Sequence, residues 1–127
     1  AQESRGLGDV YKRQLISKAE VAFDTEGPAV LVVLSTCPRG WRCDVSQSVE
    51  MARMMVRSCY WPLYEVDHGV WKMTYKPREK KPVDEYLQLQ GRFRHLFRDE
   101  QGAAVRQQLQ EWVDRKWEDL LRRCGEA

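Results

Sequence analysis

The sequence predicts an α/β fold, a fragment of a doubly wound domain in the order helix, buried strand, helix, β-hairpin and C-terminal helices. Two observations predict it. The run Pro28–Leu34 is continuously apolar, which is typical of a strand buried on both faces of a parallel sheet. Segments with helical spacing of apolar residues lie before and after this run, as in one arm of a doubly wound unit. We therefore expect a central strand over residues 29–35.

Composition restricts the class of protein. The chain has 127 residues, with 43% hydrophobic and 31% charged residues, which indicates a globular domain with a core. A net charge of only +2 argues against a general nucleic-acid or membrane-surface role, and no apolar run is long enough to span a membrane. The chain has four cysteines, Cys37, Cys43, Cys59 and Cys124, whose spacing shows no paired disulfide framework. A reduced, cytoplasmic protein is therefore expected.

The N-terminal segment differs from the rest of the chain. Residues 1–14 are polar and show no apolar period, so we interpret them as a non-native leader or scar that packs poorly. Apolar residues recur at helical spacing from Leu15 to Phe23, which predicts an amphipathic helix over residues 14–24. Gly27 and the following proline end it. A strand by itself makes no sheet, so its neighbours would come from other sequence or another chain.

A second helix is predicted over residues 46–58. Asp44 or Ser46 would cap its start. Its core-facing stripe would consist of small and aliphatic residues, widened by methionines: Val45, Val49, Ala52, Val56 and Cys59, with Met51, Met54 and Met55.

Two β-prone runs follow, at residues 63–66 and 70–75. Asp67, His68 and Gly69 separate them, and Gly69 suits the positive φ of a hairpin turn. We expect His68 to be solvated at the tip of this hairpin and assign it no catalytic role.

The C-terminal third is predicted to be helical. A charged linker at residues 76–82 precedes a short helix over residues 83–89 and a basic, aromatic turn or helix at residues 91–97. A long amphipathic helix then spans residues 99–123. Its apolar face, which could dock on its own domain or on a partner subunit, comprises Val105, Leu109, Trp112, Val113, Trp117, Leu120 and Leu121.

Cys37 is the candidate for chemistry. It follows the predicted strand in a Cys-Pro-x-Gly-Trp turn, and ligands of open α/β sheets bind beyond the carboxyl ends of the strands. The alternative is a small buried thiol that only packs. No phosphate-binding loop, dinucleotide fingerprint or CxxC pair is present, so position alone leaves both interpretations open.

Four ordered blocks of sequence, within a match over residues 16–121, resemble a known family. They are GPAVLVVLSTCPRGW at residues 27–41, YWPLYE at 60–65, KPREKKP at 76–82 and QGRFRHL at 90–96. Together they resemble the C-terminal region of the β subunit of 2-oxoacid:ferredoxin oxidoreductases, nearest to the pyruvate:ferredoxin oxidoreductases (pyruvate synthases).

The resemblance implies cofactors that this chain would hold only in part. In that family the β subunit binds thiamine diphosphate with Mg²⁺ and a 4Fe–4S cluster. The fourth cluster cysteine lies in a Ser-x-Cys-Pro motif that matches residues 35–38, so the resemblance implies a metal-ligand role for Cys37 alone. The other ligand segments are absent. Arg42 and Cys43 depart from the family pattern, and we interpret Cys43 as a bystander.

The implied function is that of an enzyme subunit. The complete enzyme would oxidatively decarboxylate pyruvate with coenzyme A to acetyl-CoA, carbon dioxide and reduced ferredoxin, with α and γ/δ subunits as partners and no nucleic acid or membrane. Residues 15–45 would end the thiamine-diphosphate domain, and residues 46–127 would form a C-terminal domain. The alternatives are another substrate, such as 2-oxoisovalerate, or a docking module without a redox role. The chain by itself would be inactive.

Overall fold

A computed structural model describes the backbone of residues 2–126 and the side chains of residues 12–126. The chain divides into two compact units, residues 1–34 and residues 35–127. The first unit contains one helix, and the remaining helices and both strands belong to the second.

The first unit consists of helix α1, Gln2–Asp24, and the segment that follows it. The predicted helix over residues 14–24 is confirmed, and it begins earlier than its apolar period indicated. The hydroxyl of Thr25 donates a 2.6 Å hydrogen bond to the carbonyl of Val21 after the last turn. The prediction that the leader packs poorly concerns mainly residues 1–11, whose side chains lie outside the described residues.

The prediction of a central strand over residues 29–35 is wrong for this structure. Residues 28–37 have no regular secondary structure, and the side chains of Val30 and Val32 are 84% and 74% exposed. The physical reason is the lack of a ladder partner, because a strand exists only where a neighbour accepts its N–H groups. Within residues 2–126 the sheet is a two-stranded hairpin, so the predicted parallel sheet is not seen there.

The second unit begins with two short elements followed by helix α3. Helix α2 is Pro38–Trp41, a 3₁₀ helix spans Val45–Gln47, and helix α3 is Ser48–Arg57. Asp44 caps the 3₁₀ helix by accepting a 2.8 Å hydrogen bond from the amide of Ser46, and hydrogen bonds from Ser46 lower the pKa of this carboxyl. The helix predicted over residues 46–58 is confirmed, with a first turn that is 3₁₀.

The buried face predicted for α3 is confirmed only in part. Met51, Met55 and Val56 are buried, whereas Val45 and Val49 are 74% and 61% exposed. The 3₁₀ turn has three residues per turn rather than 3.6, so the phase of Val45 does not continue into α3. Met51 and Met55, which were predicted to widen this face, are buried as expected.

The predicted hairpin is confirmed. Strand β1, Leu63–Asp67, pairs antiparallel with strand β2, Val70–Tyr75, and Asp67 lies opposite Val70. The two turn residues, His68 and Gly69, have φ of 46° and 83°, which is the pattern of a type I′ turn. His68 is exposed at the tip, as predicted.

We predict that Gly69→Ala destabilises the chain by about 1 kcal/mol, because an alanine Cβ disfavours the left-handed conformation. The matched control is His68→Asn, since asparagine tolerates a positive φ and should leave the stability unchanged or slightly higher. Urea unfolding of both variants measures the difference. Equal stabilities for Gly69→Ala and the parent chain would contradict the turn assignment.

The C-terminal elements follow the predicted order. Helix α4 is Val83–Gln88, a 3₁₀ segment spans Gly91–Phe97, and helix α5 is Glu100–Arg123. The carboxylate of Asp99 caps α5 by accepting a 2.7 Å hydrogen bond from the amide of Gly102. Among the described residues, no helix is both long and apolar enough to cross a membrane.

The apolar face predicted for α5 is confirmed only in part. Val113 and Leu120 are buried, but Val105 and Trp112 are more than two-fifths exposed. The reason is the local packing, because α5 has 24 residues and the shorter α4 and the 3₁₀ segment cover only part of it. The core of this unit therefore comprises Met51, Met55, Val56, Cys59, Val83, Tyr86, Leu87, Val113 and Leu120.

Polar contacts attach the predicted linker to α5. Lys80 forms an ion pair with Asp114, and the amide of Val83 donates a 2.8 Å hydrogen bond to the side chain of Gln110. Although desolvation favours the neutral carboxyl, hydrogen bonds from Lys80 and Gln110 keep the pKa of Asp114 below its usual value. The segment at residues 76–82 is therefore fixed to α5 through Lys80.

Candidate functional site

Cys37 lies at the N-terminus of α2 as its capping residue. Its backbone is extended, and Pro38 occupies the first helical turn, where a missing N–H group costs nothing. The amide of Gly40 donates a hydrogen bond to Sγ of Cys37, with an N–S distance of 3.4 Å. The thiol is exposed. The sequence thus places an accessible sulfur beside a backbone donor.

The turn that contains Cys37 is closed by its own backbone. The amide of Trp41 donates to the carbonyl of Cys37 at 2.9 Å, and the amide of Cys43 donates to the carbonyl of Pro38 at 3.0 Å. Arg42 has a φ of 55°, so the chain reverses there after a single helical turn. A Cβ added to Gly40 would lie 3.2 Å from the sulfur, and glycine therefore leaves space beside it.

These features suit a thiolate that binds a metal. Hydrogen bonds from backbone amides to sulfur are a recurrent feature of iron–sulfur sites, and an exposed sulfur is accessible to a cluster. One cysteine is nevertheless only one ligand. Across residues 12–126, no group of three or more His, Cys, Asp and Glu side chains could hold a metal ion. The ligand role of Cys37 stays a prediction.

Cys43 lies in a different environment from Cys37. It is half-buried and lines an open cavity of about 520 Å³. The other lining residues include basic, acidic, polar and apolar side chains: Arg42, Asp44, Gln47, Leu87, Gln88, Leu89, Gln90, Gly91, Arg94 and Phe97. A mixed lining of this kind offers no set of soft ligands, and the interpretation of Cys43 as a bystander stays a prediction.

Cys59 is a buried structural thiol. Its side chain is 3% exposed, and burial raises the pKa of this thiol from 9.0 to about 11, with the nearby Lys80 opposing the shift. The thiolate is the reactive form of cysteine, so Cys59 is chemically inert at neutral pH.

We predict that iodoacetamide at pH 8 modifies Cys37 and leaves Cys59 unmodified, because only about one Cys59 side chain in a thousand is ionised at that pH.

The burial of Cys59 also predicts a dependence of stability on pH. The pKa of Cys59 in the folded chain lies above the ordinary value of 9.0, so the stabilisation from the neutral thiol is complete below pH 9 and lost as the pH rises towards 11. The unfolding free energy should therefore fall more steeply between pH 9 and 11 in the parent chain than in Cys59→Ala. Peptide mass spectrometry and urea unfolding measure the two effects, and parallel pH profiles would contradict the assignment.

The Cys37 turn is attached to the 3₁₀ segment at residues 91–97, a contact that the sequence analysis missed. The amide of Gly91 donates a 2.9 Å hydrogen bond to the carbonyl of Arg42. A Cβ on Gly91 would lie 2.7 Å from that carbonyl oxygen, so only glycine fits there. The guanidinium of Arg92 lies 4.5 Å from the centroid of the Trp41 ring. Both contacting residues, Gly91 and Arg92, belong to the QGRFRHL block at residues 90–96.

Comparison with known proteins gives close relatives. No family model matches the chain. It is 47% identical over 105 residues to pyruvate synthase subunit PorB of Thermotoga maritima, a match that covers 83% of this chain and 32% of that protein. It is 41% identical over 110 residues to subunit PorB of Methanothermobacter marburgensis, covering 87% and 36%. It is 37% identical over 112 residues to ketoisovalerate oxidoreductase subunit VorB of Pyrococcus horikoshii, covering 87% and 34%.

These relatives confirm the resemblance to β subunits of 2-oxoacid:ferredoxin oxidoreductases on which the sequence analysis relied. The chain spans about a third of the length of the curated relatives that it matches.

Proposed function

We propose that this chain, which resembles about a third of a pyruvate synthase subunit PorB, is a segment of the β subunit of a pyruvate:ferredoxin oxidoreductase. The observation that supports it best is the 47% identity over 105 residues to the Thermotoga maritima subunit. In the complete enzyme, pyruvate and coenzyme A would be converted to acetyl-CoA and carbon dioxide, and ferredoxin would be reduced.

Cys37 would supply one thiolate ligand to a 4Fe–4S cluster. Its exposed sulfur and the amide of Gly40 support this role, because thiolates are the ligands of such clusters and hydrogen bonds to sulfur adjust their potentials. When bound, the cluster would accept electrons and pass them on one at a time. The remaining ligands, thiamine diphosphate and Mg²⁺ would be held by residues outside this chain.

The rest of the chain would serve structure and assembly. Residues 15–45 would complete the thiamine-diphosphate domain, where residues 29–35 would find strand neighbours, and residues 46–127 would form a C-terminal domain. The hairpin and residues 76–82 would contact the α and γ/δ subunits. The enzyme would be cytoplasmic. This segment by itself would be inactive, because it provides one ligand of the cofactor set.

A second substrate is favoured by one observation. The VorB relative from Pyrococcus horikoshii is 37% identical over 112 residues, and its name refers to ketoisovalerate. No described residue of this chain distinguishes a methyl from an isopropyl side chain on the 2-oxoacid. Pyruvate is the first proposed substrate because the PorB relatives from Thermotoga maritima and Methanothermobacter marburgensis are 47% and 41% identical to this chain.

The test uses the complete β subunit, assembled with its partner subunits. Ferredoxin reduction is measured with coenzyme A and either pyruvate or 2-oxoisovalerate. We expect a clearly higher kcat/KM for pyruvate. A preference for 2-oxoisovalerate would replace pyruvate as the proposed substrate. If the β subunit without this segment kept both activities, a docking module without a redox role would be favoured.

A further inference from the structure

We propose that Arg92 is a positioning residue for the sulfur of Cys37, acting through the ring of Trp41. The inference rests on the proposed ligand role of Cys37. The four residues Gln90–Phe93 and the turn from Cys37 to Cys43 form one unit, called here the Arg92 clamp. The resemblance to the family does not by itself assign any role to Arg92.

The first half of the clamp is the turn itself. Trp41 is the last residue of α2, and its amide donates to the carbonyl of Cys37. A displacement of the Trp41 backbone therefore moves the capping residue directly. The short helix has no buried residue to hold it in place. Its position must come from contacts with neighbouring elements, and residues 91–97 supply them.

The second half of the clamp is anchored in the core. Gln90 is 1% exposed, and its side-chain amide donates a 3.2 Å hydrogen bond to the carbonyl of Tyr86, itself a fully buried residue. The side-chain oxygen of Gln90 accepts a 2.6 Å hydrogen bond from Nε of Arg92. The Arg92 guanidinium is thereby hydrogen-bonded to a buried side chain that is itself bonded to the core.

The two halves meet at the guanidinium and at Gly91. Cζ of the Arg92 guanidinium lies over two rings, 4.5 Å from the centroid of Trp41 and 4.6 Å from that of Phe93. Next to it, the amide of Gly91 donates to the carbonyl of Arg42. A planar guanidinium can stack on a ring and donate in its own plane at once, which a lysine ammonium cannot. Arg92 therefore connects Tyr86 in the core to the turn that presents Cys37.

The test first measures the clamp without any cofactor. Amide hydrogen exchange in the 127-residue chain should become about tenfold faster at Trp41 and Gly91 in Arg92→Ala, since a ring stack and a charged hydrogen bond are lost. The amide of Ser58, which donates to Met54, serves as the reference for general loosening. The matched control is Arg123→Ala, which removes a similar stack at 4.9 Å from Trp71. Unchanged exchange, or an equal rise at Ser58, would overturn the clamp.

The second measurement uses the complete enzyme. The electron paramagnetic resonance signal of the reduced cluster and its midpoint potential should shift in Arg92→Ala and Arg92→Lys, but not in Arg123→Ala. A signal unchanged in the Arg92 variants, alongside lost exchange protection, would overturn the positioning role. A full cluster content in Cys37→Ala would overturn the proposed ligand instead, and it would leave the exchange result standing. The two failures are therefore distinguishable.

Discussion

Cys37→Ala in the complete enzyme is expected to lose the cluster nearest thiamine diphosphate. Ferredoxin reduction should fall by at least about a hundredfold, because the cluster loses one of its ligands. Alanine offers no ligand, and serine offers a hard oxygen in place of a soft thiolate. Decarboxylation of the 2-oxoacid should persist, because that step does not require the cluster. Iron and sulfide analysis with low-temperature electron paramagnetic resonance measures the loss.

The control for this prediction is Cys43→Ala. Cys43 is six positions later in the chain and half-buried against the cavity wall, so its removal should leave iron content and ferredoxin reduction unchanged. The 127-residue chain should bind no stable 4Fe–4S cluster after anaerobic reconstitution, since it has at most one of the ligands. Normal clusters in Cys37→Ala would refute the assignment.

Met51→Ala is expected to destabilise the chain by about 2–5 kcal/mol. Met51 is 0% exposed at the centre of the buried face of α3, and truncation would leave a cavity that Met55 and Val56 cannot fill without moving. A loss of this size is a large part of the stability of a small domain. The midpoint of urea unfolding should fall at a nearly constant slope.

The control for this prediction is Val49→Ala, in the same helix. The apolar spacing of the sequence assigns Val49 to the core, but its side chain is 61% exposed, so its truncation should change stability by less than about 0.5 kcal/mol. The comparison distinguishes the two faces directly. A larger loss for Val49→Ala than for Met51→Ala would contradict the burial of Met51 and the exposure of Val49.

The local elements could be predicted from the sequence because local chemistry determines them. The hairpin at residues 63–75 follows from two β-prone runs and a His-Gly turn, in which both turn residues adopt a positive φ. Helix α5 begins where Asp99 can cap it and continues on a favourable helical pattern. Such features need only residues that are close together in the chain.

The predicted strand and the exposed members of the predicted helix faces depended on partners at a distance, and there the structure differs from the prediction. The run at residues 29–35 has the composition of a buried strand, but a ladder requires a neighbour, and within residues 2–126 the sheet contains only the hairpin. The start of the predicted α3 face is exposed because Val45 lies in a 3₁₀ turn and Val49 directly after it, whereas the rest of the face packs against neighbouring elements such as α4.

The candidate site divides in the same way. The sequence by itself determined that Cys37 follows an apolar run in a tight Cys-Pro-x-Gly-Trp turn, and its ordered blocks determined the family that the chain resembles. Only the tertiary structure decided that the amide of Gly91 and the guanidinium of Arg92 hold that turn from about fifty residues further along the chain. A ring stack and an approach too close for a Cβ depend on how two distant segments pack, and no spacing rule within one segment contains that information.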